Sequence, residues 1–163
     1  MNREILRSDD EILELIRSEK MIFRKPPGQK ETNRDLKRKF DVVSIDKSLE
    51  FEVFFAKNIR VPSDFSLGLM FGKFLLIRYN GFHGTTTQGF HKYGHHAHIH
   101  SHTLTLDDIM NGRETAPSKI EDMTGNYYDF ESAQLFFLKE CGIVNYEDFF
   151  DFKKYNQVSF DEL

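Results

Sequence analysis

Between residues 49 and 103 the chain repeatedly alternates with a period of two, which is the side-chain spacing of a β-strand and of no helix. Leu49, Phe51, Val53 and Phe55 alternate with Glu50, Glu52 and Phe54, and a β-rich run over 40–45 enters them through Asp46-Lys47-Ser48, which predicts a hairpin. Phe65, Leu67, Leu69 and Phe71 form a second set. Gly72-Lys73 has the glycine-first form of a two-residue type II′ turn, and Phe74, Leu76 and Arg78 continue the same face beyond it. The expected pairs are Phe71 with Phe74, Leu69 with Leu76 and Leu67 with Arg78. The last alternation is chemical: His96, His98, His100 and His102 stand on every second residue, with Ala97, Ile99, Ser101 and Thr103 between them. Sequential strands tend to be neighbours, so the histidine strand is expected beside 74–80 in an antiparallel meander.

Helical signals flank this sheet. Ser8 and Glu11 make a capping box, and Ile5, Ile12, Leu15 and Ile16 make one apolar stripe, so residues 1–20 read as an amphipathic helix rather than a secretory signal. Near the other end a helix is expected from a cap at Asp129 to Gly142, and a second from Asn145 carrying Tyr146, Phe149, Phe150 and Phe152. A short helix at 107–110 and a polar loop over 111–128 complete the reading. The class is α+β: one domain over 1–163, an antiparallel β-meander of about five strands, with an N-terminal helix and C-terminal helices packed on one face. Seventeen Phe supply a core for such a chain without metal or disulfide staples. No apolar run is long enough to span a membrane, and the single cysteine, Cys141, excludes an intramolecular disulfide and suits the reducing cytoplasm expected as its location.

Charge is unevenly spread. Residues 1–105 carry a net charge of +4 and residues 106–163 one of −8. The basic excess is densest where Arg24, Lys25, Lys30, Arg34, Lys37, Arg38 and Lys39 face only Glu31 and Asp35. Such a stretch can meet nucleic-acid phosphates, or it can be a solvated approach to an edge strand.

All seven histidines lie within 83–102. On a strand, alternate imidazoles stand roughly 6.5–7 Å apart on one face, close enough to share a metal ion, a phosphate or a proton. Metal chemistry needs one or two ligands beyond a His-x-His pair. His83, His91 and His95 precede the strand and can supply them, giving a candidate ligand set of His91, His95, His96, His98 and His100 for zinc or another divalent transition metal. Metal-free chemistry needs one neutral and one protonated imidazole beside a phosphate, a state that an unperturbed pKa near about 6.5 allows at cellular pH. A cation such as Arg78 then steadies the charge that develops. The bland reading is a histidine-faced interaction surface, metal-binding or pH-responsive, without catalysis.

The run Leu76-Ile77-Arg78-Tyr79-Asn80-Gly81-Phe82-His83, followed by His95-His96-Ala97-His98-Ile99-His100, resembles the signature of TumE-like toxins of bacterial toxin–antitoxin modules. There an Arg-aromatic-Asp/Asn turn leads to a histidine, and a His-His-x-His cluster lies on the next strand. The resemblance is confined to this segment. It implies a small toxin-like protein acting on RNA and held in check by an antitoxin partner, and it reaches Arg78, Tyr79, Asn80, His83, His95, His96 and His98. The expected catalytic set is Arg78, Tyr79, His83, His96 and His98.

Overall fold

A computed structural model describes residues 6–81, 99–115 and 119–152. Its longest ladder joins β3 (Asp35–Ser44) to β4 (Glu50–Asn58) around the expected turn. Asp46 holds that turn: its Oδ1 accepts from Ser44 Oγ and Ser48 Oγ (2.6 Å each) and from Ser48 N (2.9 Å). Those bonds, those from Ser44 foremost, pull the exposed carboxyl down to about 2. The second hairpin pairs β5 (Phe65–Phe71) with β6 (Phe74–Asn80) across Gly72, whose φ of 60° only glycine adopts without strain. β7 (His100–Thr103) lies beside β6, as the meander requires.

Three further strands widen the sheet beyond the five expected. β1 (Lys20–Ile22) and β2 (Lys30–Glu31) both pair with β3, and β8 (Lys119–Asp122) pairs with β7 inside the stretch read as a polar loop. Among the described residues the order is β1-β3-β4-β5-β6-β7-β8, with β2 on β3, and every strand pair is antiparallel.

One face of the sheet is the core. α1 (Asp9–Arg17) is capped by Ser8, whose hydroxyl accepts from Glu11 N, and buries Ile12, Leu15 and Ile16. α2 (Leu106–Met110) follows β7 directly and has a Thr105–Asp108 capping box. α3 (Phe130–Glu140) starts from an Asp129–Ser132 box, and its Phe137 stands edge-on to Phe55 and Tyr79 at 6.2 and 5.0 Å. The second C-terminal helix is instead a single 3-10 turn, Tyr146–Asp148. Asn145 is diverted from capping it: its amide accepts from Ile22 N and donates to Ile22 O, both at 2.8 Å, filling the open edge of β1. Still, Tyr146 and Phe152 join the core cluster, as the aromatic pattern predicts. Among the described residues no helix is long and apolar enough to cross a membrane.

The ends of α1 and α3 meet at Lys20, which is fully buried. Its Nζ donates to Ile16 O and Ser18 O (2.8 Å each) and to Cys141 O (3.0 Å), so one ammonium answers carbonyls at the C-termini of two helices. Gly142 permits this approach, because a Cβ there would stand 2.5 Å from Ser18 O. Burial pushes Lys20 down to about 8 and the neighbouring Cys141 thiol up to about 12.

Candidate functional site: the outer face of the sheet

The β5–β6 ladder contains a bulge that decides which side chains face outward. Leu69 pairs with Ile77 but Met70 with Leu75, leaving Leu76 as the extra residue. Phe71 opposes Phe74 as expected, whereas Leu67 opposes Tyr79 rather than Arg78. A one-residue slip exchanges the two faces. Tyr79 therefore enters the core, stacked on Tyr127 at 5.2 Å and 9°, and burial raises its phenol far above the ordinary range. Arg78 turns to the opposite face.

On that face, register aligns side chains from successive strands into rows. Lys39, Phe54, Gly68, Arg78, His102 and Ile120 are cross-strand partners in one row, and Lys37, Ala56, Ser66, Asn80, His100 and Asp122 in the next. Partners of this kind stand roughly 4.5–5.5 Å apart at Cβ. Arg78 thus lies opposite His102, and His100 lies between Asn80 and Asp122.

Within this group the geometry is tight. His100 and His102 have ring centroids 4.6 Å apart, with planes at 65°. Asn80 Nδ2 lies 3.2 Å from His100 Nε2; as the amide donor it requires a lone pair there, which leaves the proton of a neutral His100 on Nδ1. His100 is buried and His102 half-exposed. Burial lowers the Arg78 guanidinium below the ordinary arginine range, though still cationic, and among the described residues its buried Nε has no hydrogen-bond partner. Behind the site, Tyr127 clamps the two strands: its hydroxyl donates to Asn80 O at 2.7 Å and lies 3.3 Å from His100 O. Ile99, Ser101 and Thr103, between the histidines, are buried in the opposite sense, as the alternation predicts.

Of the candidate residues, Arg78 and His100 lie on this face, with Asn80 beside them and Tyr79 behind them on the core side; His102, which belongs to the histidine alternation but to neither candidate set, joins them. His83, His91, His95, His96 and His98 lie outside the described residues. Among the described residues no group of three or more His, Cys, Asp or Glu is arranged to hold a metal ion. Asp122, whose Oδ1 accepts from Thr124 N at 2.9 Å, joins the histidine row unforeseen. Its strand, Lys-Ile-Glu-Asp, has a single apolar residue and hence no readable period. Compared with known proteins, the chain matches no family model, no curated protein and no solved structure.

Proposed function

We propose that this protein cleaves RNA by metal-free acid–base catalysis on the outer face of the sheet, and acts as a toxin-like protein of the kind its sequence resembles. The observation that carries the reading is the 4.6 Å pair of imidazoles, one of them the cross-strand partner of Arg78, whose half-buried guanidinium stands on the same face. A neutral imidazole takes the proton of a ribose 2′-hydroxyl as O2′ attacks phosphorus. A protonated one gives its proton to the departing 5′-oxygen. The bond formed is O2′–P and the bond broken is P–O5′, so the products are a 2′,3′-cyclic phosphate and a 5′-hydroxyl. Arg78 offers a donor to the phosphoryl oxygens as their charge grows. His96 and His98, on the next alternate positions of the sequence, remain candidates for the same acid–base work.

The test is cleavage of a labelled oligoribonucleotide by the wild type and by His102→Ala. The variant should lose about 10²–10⁴-fold in rate while keeping its thermal transition. Replacing the attacking 2′-hydroxyl by hydrogen should stop cleavage at that linkage, and EDTA should leave it unchanged. Full activity of His102→Ala on RNA would overturn the assignment. Loss of activity on chelation would favour the metal-dependent course.

The same imidazole contact supports a second reading, a pH-gated interaction face for a protein such as an antitoxin. Two imidazoles this close repel once both are protonated. Partner release between about pH 7 and 5, with no RNA cleavage at either pH, would favour it.

A further inference from the structure

We infer that the row Lys39–Phe54–Gly68–Arg78–His102 is a binding track for single-stranded RNA, running across the strands of the outer face. This rests on the cleavage reading for where the scissile phosphate lies, but the binding itself stands on separate observations.

The first is Phe54. Its place in β4 belongs to the polar half of the alternation, between Glu52 and Ala56, and it takes no part in the hydrophobic core cluster. Its ring packs over Gly68 and stays partly exposed on the outer face, which is the surface a stacking base would meet. The reason its ring can reach over the adjacent strand is Gly68, its cross-strand partner: a Cβ on Gly68 would collide with the Phe54 ring and stand 2.8 Å from Leu75 Cδ1. The ring thus occupies the space that a side chain on the adjacent strand would fill. It lies in the row between Lys39 and Arg78.

The second observation is the distribution of charge. Lys37 and Lys39 are exposed on this face, and with Arg78 they occupy the two rows that contain the histidines. Of the acids on this face, Asp41 and Glu52 pair with one another in the following row, on the far side from His100, and Asp122 stands at the β8 end of the His100 row, outside the Lys39–His102 row. A polyanion laid along the Lys39–His102 row therefore meets cations at both ends and an aromatic ring between them. Spacing agrees: four strand-to-strand steps of about 4.8 Å give about 19 Å, room for the two or three bases that RNA-recognition sheets stack on their aromatics. A duplex cannot use this platform, because its bases are already stacked and paired. Arg38, one residue from Lys39, projects to the other face, where its guanidinium lies 4.7 Å over the Phe150 ring. The track is thus a property of one face, not of the basic stretch as a whole.

The experiment is fluorescence anisotropy with a 5′-labelled, 2′-O-methylated octaribonucleotide of mixed sequence, which cannot be cleaved, and with the same strand annealed to its complement. The single strand should bind at least about tenfold more tightly than the duplex. Phe54→Leu, which keeps Gly68 covered, should weaken single-strand binding about 5-fold or more. Lys39→Ala should lower the slope of log affinity against log salt by about 0.7, whereas Arg38→Met should leave it unchanged. Far-UV circular dichroism and the thermal transition of each variant report folding, and Phe54→Tyr, which retains a stacking ring, should restore binding if Phe54→Leu loses it by stacking alone. Wild-type affinity in both Phe54→Leu and Lys39→Ala, or equal affinity for the duplex, overturns the track. Intact single-strand binding with no cleavage of unmodified RNA overturns the cleavage reading and leaves the track standing.

Discussion

Lys20 and Arg78 are both cations drawn out of water, and the fold treats them oppositely. Lys20 is wholly enclosed and each donor has an acceptor: Ile16 O, Ser18 O and Cys141 O, at 2.8 to 3.0 Å. Arg78 is half-buried, and among the described residues its sheltered Nε has none. A saturated buried cation is a joint, because its removal strands the carbonyls that it served. Arg78 instead keeps one donor unmatched among the described residues, on the strand beside the two imidazoles from which the cleavage proposal is argued.

The largest effect that could break this contrast is on stability. Lys20→Met leaves three inward-facing carbonyls at two helix ends without a donor, and should cost about 3–5 kcal/mol in urea unfolding. A loss below about 1 kcal/mol would mean that Lys20 is tolerated rather than required. Arg78→Met should do the reverse. Its methylenes are largely replaced and an orphaned donor disappears, so stability should move by less than about 1 kcal/mol, while RNA cleavage falls by about 10²-fold or more. Destabilisation as large as that of Lys20→Met would make Arg78 a second joint and remove the main support for a phosphate site.

Proton linkage sharpens the comparison at the Lys20 end. Its folded pKa is depressed to about 8 from 10.5, so between these values the unfolded chain binds more protons, and stability rises with pH. Cys141 acts in the opposite direction: raised to about 12 from 9.0, its thiol keeps a proton that the unfolded chain loses, so stability falls as pH climbs through 9 to 12. The window that isolates Lys20 is therefore about pH 8 to 9, where stability should increase by up to about 1.4 kcal/mol per unit. Lys20→Met should flatten that rise. A wild-type curve that is already flat there would show that the helix-end carbonyls hold Lys20 charged.

The two regions also differed in how far their roles could be read from residue order. Ser8, Asp129 and Gly142 announce helix ends by local chemistry, and the strands of both hairpins announce themselves by alternation, so the α+β class and the β6–β7 neighbourhood follow from sequence alone. The outward face of the histidine strand is legible for the same reason. Lys20 is not: a lysine after an amphipathic helix reads as a solvated C-terminal charge, and only the return of Cys141, far along the chain, encloses it. Strands β1 and β8, of three and four residues, are too short to display a period. The exchange of Arg78 and Tyr79 between faces depends on the extra residue at Leu76, and a bulge leaves the composition of a strand unaltered. Asn145 looked like a helix cap because Asn commonly is one, yet the open edge of β1 offered its amide both a donor and an acceptor.

The smallest predicted effect tests whether the histidine end is poised rather than merely packed. Asn80 Nδ2 lies 3.2 Å from His100 Nε2, and Tyr127 holds the backbone carbonyl of the same residue from the core side. Asn80→Ala removes that donor and should cost about 1 kcal/mol in unfolding, an ordinary hydrogen bond. Its functional signature should be larger in form than in size. On the cleavage reading, losing this contact disturbs the sharing of acid and base work between the two rings. The pH profile of RNA cleavage should then change shape, and the Nε2 resonance of His100 in nitrogen NMR should move from its wild-type position. If both profile and resonance match the wild type, the Asn80 contact is packing, and the difference between a satisfied joint and a poised site would have to rest on Arg78 alone.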